Sequence, residues 1–194
     1  ITGMKRADIF HSKRKEKKQW QKTEPLASEV NSEFEEGVCS FSADGKTMYF
    51  TRCRTLPDAP AYAEIYVSQR AGAEWGAPQK CAIMNDTLSS VAHPVLSPAG
   101  DYLYFVSDMP GGQGGLDLLR INVTLDGFGY VDNLGPDINT SGDEMFPTFA
   151  SDGTLYFSSN GHPGMGGLDI FRAVSDSLTE GWRIENMRSP INSQ

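Results

Sequence analysis

Apolar and polar residues alternate in short runs along this chain, and the runs return at a fixed interval. Cys39 to Phe50 reads as two alternating segments about Asp44-Gly45. Pro94 to Phe105 repeats the layout about Ala99-Gly100, and Pro147 to Phe157 about Asp152-Gly153. Gly between two such segments supplies the positive φ of a tight hairpin turn, while the flanking Val, Thr, Tyr and Phe suit a pleated, half-buried surface. No stretch spaces its apolar residues at a helical period.

Three landmarks keep the same step. An apolar residue precedes Asn at Val30-Asn31, Met84-Asn85, Ile138-Asn139 and Ile191-Asn192, at intervals of 54, 54 and 53. An acidic residue opens a short apolar strand at Asp8-Ile9-Phe10, Glu64-Ile65-Tyr66, Asp117-Leu118-Leu119 and Asp169-Ile170-Phe171. A large aromatic follows at Trp20, Trp75, Phe128 and Trp182. Landmarks held in phase over four copies indicate a repeat architecture. A hairpin, an acidic-apolar strand and an aromatic-bearing strand make four antiparallel strands per repeat, the make-up of a β-propeller blade. The expected fold is therefore all-β, a β-propeller with about three and a half blades in this chain. Residues 1–31 would form the second half of a blade, and 32–85, 86–139 and 140–192 successive repeats. An open arc exposes strand edges, so the chain is expected to belong to a longer propeller or to complete its ring with another segment.

The third copy carries a family likeness. The run from Asn133 to Phe149, centred on Asn139-Thr140-Ser141-Gly142-Asp143-Glu144, continues from Leu155 to Phe171 through Pro163-Gly164-Met165-Gly166-Gly167-Leu168-Asp169. It resembles the WD40-like (PD40) propeller repeat of Bacteroidota envelope lipoproteins of the OmpA family, some of which serve type IX secretion. The resemblance spans nearly the whole chain. It departs at Leu56 to Tyr62, which replaces a Gly-rich loop, and at Val91-Ala92-His93, which replaces the pair Asp143-Glu144. It implies a periplasmic, outer-membrane-associated scaffold with envelope proteins, such as secretion-system subunits, as partners. Peptidoglycan would be held by a separate domain, and a lipidated Cys would lie upstream.

At 39% hydrophobic and 10% aromatic, the chain has material for a sizeable core. No run of 18 apolar residues suggests a transmembrane helix, and residues 1–22 lack the apolar centre of a signal peptide, so a start further upstream is expected. Residues 1–22 hold eight Lys or Arg against Asp8 and Glu16, a net of +6, which leaves −14 on the remainder of a chain of formal charge −8. An acidic body argues against nucleic acid as partner. The cluster Lys13, Arg14, Lys15 and Lys18 lies between two strands of one blade. It reads either as a solvated hairpin loop or as a docking patch for an acidic protein or anionic headgroups.

Chemistry-bearing motifs are few. The loops Pro110 to Asp117 and Pro163 to Asp169 are rich enough in Gly to cradle an anion, yet they lack a following helix and a phosphate-binding Lys. They are expected to be tight connections needing positive φ. The acidic landmarks are expected to accept backbone N–H bonds within their blades, since a ring of close like charges would be costly without a cation. His11, His93 and His162 occupy unmatched positions and read as isolated surface or turn residues. Cys39, Cys53 and Cys81 lack metal spacing and read as free or buried thiols, with a Cys39–Cys53 disulfide as the alternative. Trp20, Trp75 and Trp182 read as blade-packing residues, with sugar stacking as the alternative. No Gly-x-Ser-x-Gly elbow appears. The reading is a non-catalytic interaction scaffold without cofactor or metal, contacting partners through Asp108, Gln113, Asn160, His162 and Met165 on the Gly-rich loop face. The alternatives are a gate for an envelope hydrolase and a glycan-binding propeller.

Overall fold

The computed structural model describes residues 6–15, 19–26, 29–55, 61–84, 89–176 and 181–193. Every regular element among them is a strand. The N-terminal pair is β1 (Phe10–His11) and β2 (Glu24–Pro25). Blade 1 holds β3 (Glu35–Phe41), β4 (Thr47–Arg54), β5 (Tyr62–Ala71) and β6 (Glu74–Trp75), with β7 (Gln79–Lys80) also pairing β5. Blade 2 holds β8 (Val91–Leu96), β9 (Tyr102–Ser107), β10 (Asp117–Thr124) and β11 (Gly127–Asn133). Blade 3 holds β12 (Glu144–Phe149), β13 (Leu155–Ser159), β14 (Asp169–Asp176) and β15 (Gly181–Asn186). Each blade is an antiparallel meander, so β1 and β2 correspond to its last two strands. The chain is thus a partial β-propeller.

Hairpin turns fall where the pattern placed them. Gly45, Gly100 and Gly153 take φ of 66°, 77° and 86° between the first two strands of blades 1, 2 and 3.

The blades pack face to face through three apolar layers. Ile9 and Val30 meet Met48 and Phe50 between the half-blade and blade 1. Tyr49 and Ile65 meet Leu103, Phe105 and Leu119 between blades 1 and 2. Tyr104, Leu118 and Ile138 meet Phe157, Phe171 and Trp182 between blades 2 and 3. Each blade therefore presents one set of residues to its predecessor and another to its successor. The aromatic landmarks belong to the first set, since Trp75, Phe128 and Trp182 all pack toward the preceding blade. Trp20 corrects the expectation that all three tryptophans are packed: it is 65% exposed, with Phe10 at 56%, because both face the side where no described blade stands. At the other end, Ile170 (38%) and Ile191 (54%) are uncovered, although their equivalents Leu118 and Ile138 are fully buried. Both end faces are thus chemically blade-receiving surfaces.

The Asn landmark has a defined mechanical role. Asn139 accepts the Leu118 amide at 2.8 Å, and its side-chain amide donates to the Leu118 carbonyl at 2.9 Å and to Asn133. Asn31 does the same to Ile9, and Asn192 to Ile170. A carboxamide offers one acceptor and two donors in a plane, so it extends the sheet by one backbone-like partner at the end of each third strand. Asn85 lies outside the described residues.

Candidate functional site

The three innermost strands, β3, β8 and β12, each pair on one side only and leave the opposite edge open. Each also breaks register once, between Gly37 and Cys39, between Ala92 and Val95, and between Met145 and Thr148. Within these bulges Val38, His93 and Phe146 take positive φ of 40°, 52° and 55°. A β-branched or bulky side chain in that region costs on the order of 1–3 kcal/mol, and such strain concentrates at functional positions. Nothing in these residue types announces it, which is why the sequence pattern missed the site.

The bulges are tied laterally. His93 donates its backbone N–H to Thr51 Oγ1 at 2.9 Å, and its Nδ1 accepts the Phe146 amide at 3.3 Å. The imidazole stacks on the Phe146 ring with centroids 4.1 Å apart. One residue thus links blades 1, 2 and 3. Burial holds the His93 imidazole down at about 4, so its Nδ1 remains an acceptor at neutral pH.

Beside the bulges lies a cavity of about 730 Å³. Its wall is built from β3, β8 and β12 and the turns that follow them, including Val38, Cys39, Phe41, Pro94, Phe146 and Thr148, and among the described residues no charged one lines it. Val38, Phe41 and Phe146 keep much of their apolar surface open. Pro94 and Pro147 stand just after the bulge residue in blades 2 and 3, whereas blade 1 has Cys39. Proline removes a donor from an edge strand, so β3 keeps the fuller hydrogen-bonding edge.

The strands are anchored by buried acids. Glu36 accepts Arg52 Nε at 2.7 Å and the Ser32 amide at 3.1 Å, while the Arg52 guanidinium lies 4.4 Å from the Tyr66 ring centre. Glu144 accepts the Thr140 amide and hydroxyl at 2.8 and 2.7 Å and the Ser159 hydroxyl at 2.6 Å. By strand register, blade 2 has Val91 at this position.

Of the loop residues named from the sequence, Asp108, Gln113, Asn160 and Met165 are exposed and His162 is half-buried, and all five bond into the scaffold. Asp108 accepts the Ser90 amide, and Asn160 both accepts the Asp143 amide and donates to its carboxylate. His162 is half-buried, donates from Nε2 to the Ile138 carbonyl at 2.8 Å and packs against Phe157 and Phe171. His93 and His162 are therefore wedges between elements rather than isolated surface or turn residues. The amides of Gln113 and Met165 donate to Asp117 and Asp169, the acids that close their loops. Glu64 instead pairs with Lys80, with Arg54 and with the Tyr66 hydroxyl. The loop glycines serve close approach more than positive φ: a Cβ on Gly114 would fall 2.3 Å from the Thr140 carbonyl oxygen.

Successive turns of a meander alternate ends. The Gly-rich loops therefore lie at one end of the blades, and the channel cavity with the β1–β2 turn at the other. Lys13, Arg14 and Lys15 extend that hairpin, with Lys15 donating to the Gln19 carbonyl and Arg14 bridging Trp20. Lys18 lies outside the described residues. The two sets of contact residues named from the sequence thus occupy opposite ends.

All three cysteines are free. Burial pushes the Cys81 thiol up to about 12 and raises Cys53, where Glu35 and Glu36 add to the effect. Neither is poised as a nucleophile. Among the described residues no group of three or more His, Cys, Asp or Glu is gathered as a metal site.

TolB from Acinetobacter baumannii superposes with a TM-score of 0.54 at 20% identity, over 89% of this chain and 37% of its own. The protein described as TolB from Agrobacterium tumefaciens gives 0.56 at 21% identity, over 95% and 62%. The fold is that of a TolB-like β-propeller. A puromycin-hydrolyzing peptidase from Mycobacterium tuberculosis matches with a TM-score of 0.55 at 16% identity, over 88% of this chain and 24% of that protein. The chain thus spans between about a quarter and three-fifths of these proteins. No protein-family model matches it, and no curated protein matches it in sequence.

Proposed function

We propose that this chain is a non-catalytic protein-interaction module that grips an extended segment of a partner at the mouth of its central channel. The observation that carries the reading is the uncharged cavity of about 730 Å³ walled by three open strand edges, each bearing a strained bulge. Open edges offer main-chain hydrogen bonds to an extended peptide, and Val38, Phe41 and Phe146 offer apolar contact. The loop set Asp108, Gln113, Asn160, His162 and Met165 forms a second contact face at the opposite end, all of it exposed except the half-buried His162.

The TolB-like fold and the PD40-type repeat support a periplasmic location. The finer form of the proposal is a module of an outer-membrane lipoprotein that holds peptidoglycan through an OmpA-like domain and serves type IX secretion, in the manner of PorE. The likeness to a peptidase propeller favours one other reading, in which the same channel admits substrate to a hydrolase domain. The test uses Cys39, an exposed residue of the channel wall whose thiol is raised by partial burial and is therefore labelled at mildly alkaline pH. Full-length protein carrying a bulky maleimide at Cys39 should lose the envelope partner captured by the untreated protein, and Cys39→Ser should retain it and resist the reagent. Undiminished capture by the adduct would overturn the channel reading, and peptide hydrolysis by the full-length protein would favour the gate.

A further inference from the structure

The boundary between blades 1 and 2 is less completely filled than the next one. Between blades 2 and 3, Tyr102 packs into the interface beside Tyr104 and Phe149, and the Arg120 guanidinium lies over its ring at 4.8 Å while pairing with Asp132. Strand register identifies the corresponding residues one blade earlier. Tyr104 faces Arg120 across the pair β9–β10, as Tyr49 faces Val67 across β4–β5, and the residues two positions before these tyrosines are Tyr102 and Thr47. The counterpart of Phe149 on the following blade is Leu96. Three positions that are Tyr, Arg and Phe at one boundary are Thr, Val and Leu at the other. Two of these smaller side chains, Thr47 and Leu96, line a second cavity of about 400 Å³, bounded also by Asp44, Tyr49, Pro98, Gly100 and Val123. It shares Ala43, Leu96, Ser97 and Pro98 with the channel cavity, so the two are continuous.

We infer that this cleft is a side-chain pocket that takes an aromatic residue, Tyr or Phe, of the partner segment that enters the channel. The occupant is specified by the molecule itself: the equivalent space one blade on is filled by a tyrosine ring held between an aliphatic or aromatic wall and a cross-strand pair. A phenol fits the same geometry here, with its ring against Tyr49, Leu96 and Val123 and its hydroxyl toward the turn residues Ser42 and Ser97. A segment running along the open edge of β3 reaches the cleft without leaving the channel mouth, because Ser42 and Ala43, which line the cleft, are the two residues after that strand. An aromatic anchor in a pocket beside main-chain pairing supplies both affinity and register. The inference rests on the channel reading and adds its specificity element.

The experiment is amide NMR of isotopically labelled full-length protein titrated with four capped tripeptides, acetyl-Ser-X-Ser-amide, where X is Tyr, Leu, Lys or Asp, and separately with diacetylchitobiose. The Tyr peptide should shift the amides of Thr47, Leu96 and Gly100 saturably and bind at least tenfold more tightly than the Lys and Asp peptides. Leu96→Phe, which narrows the cleft by copying the next blade, and the pair Thr47→Tyr with Val67→Arg, which refills it, should each weaken the Tyr peptide at least tenfold. Leu96→Phe keeps the test decisive if the double variant folds poorly. Equal response to all four peptides, response to the disaccharide alone, or binding unaltered by Leu96→Phe would overturn the inference. Shifts confined to Val38 and Thr148 would leave the channel reading standing and remove the cleft, whereas silence at both positions would remove both.

Discussion

His93 and Phe146 are joined twice across the boundary between blades 2 and 3: the Phe146 amide donates to His93 Nδ1 at 3.3 Å, and the two rings stack with centroids 4.1 Å apart. Both residues sit at the same bulge of their strands with positive φ. The lateral bond makes two locally strained conformations depend on one another.

This dependence predicts acid sensitivity. His93 is held at about 4 against an ordinary 6.5, so the unfolded chain binds more protons than the folded one between those values. Stability from this group is full above pH 6.5 and is lost as pH falls toward 4. The unscreened loss over that window is about 3 kcal/mol, and partial exposure of the ring reduces it to about 1–2 kcal/mol. Urea titrations at stepped pH should show the slope, and His93→Asn, which can accept the same bond without titrating, should flatten it.

Removing an Asn landmark strips a buried strand end of its partners. Asn139→Ala leaves the Leu118 amide and carbonyl without their side-chain partner in a buried interface. A loss of about 2–4 kcal/mol in equilibrium unfolding is expected. Asn139→Asp should cost at least as much, because a carboxylate oxygen would then face the Leu118 carbonyl.

Glu36 and Arg52 form a pair with side chains 0% and 11% exposed. Glu36→Ala strands the guanidinium and should lower stability by about 3–5 kcal/mol. The double change Glu36→Leu with Arg52→Met removes both charges and should recover at least half of that loss in the same denaturation assay.

Val38 holds a β-branched side chain at φ 40° while remaining partly exposed. Val38→Gly should therefore raise stability by up to about 1 kcal/mol, against the usual trend for Gly in a strand. If the channel grips a partner, the same variant should weaken capture. A fall in melting temperature would show that apolar contact at Val38 outweighs its strain.

Lys13, Arg14 and Lys15 project from the β1–β2 hairpin at the channel-mouth end. Reversing all three to Glu should leave the melting profile unchanged, since exposed charges contribute little to folding. Binding of an acidic partner should weaken, with a reduced dependence on salt. Salt-independent binding unchanged by the reversal would remove this turn from the contact surface.

Much of the fold was legible because its signals are local. Turn glycines at 45, 100 and 153, alternating strands and the acid that closes each Gly-rich loop all act within a few residues. The site was less legible. Side chains at Val38, His93 and Phe146 disfavour the φ they adopt, so residue type points away from the bulges. Two signals were nevertheless present: Glu36 and Glu144 each follow an Asn landmark by five residues, and Val67 and Leu96 are the small members of their repeat positions.

The sequence by itself determined the blade: a period of about 54 residues, four strands per unit and the polar clamps that close each unit depend on contacts within one repeat. Only the tertiary structure decided what lies between blades. Trp20 is exposed while Trp75 and Trp182 are packed, although all three hold the same phase, because burial depends on a neighbouring blade rather than on the residue. The channel and its side cleft likewise arise where residues some 50 positions apart meet, and their volume is set by the difference between side chains that no local pattern compares.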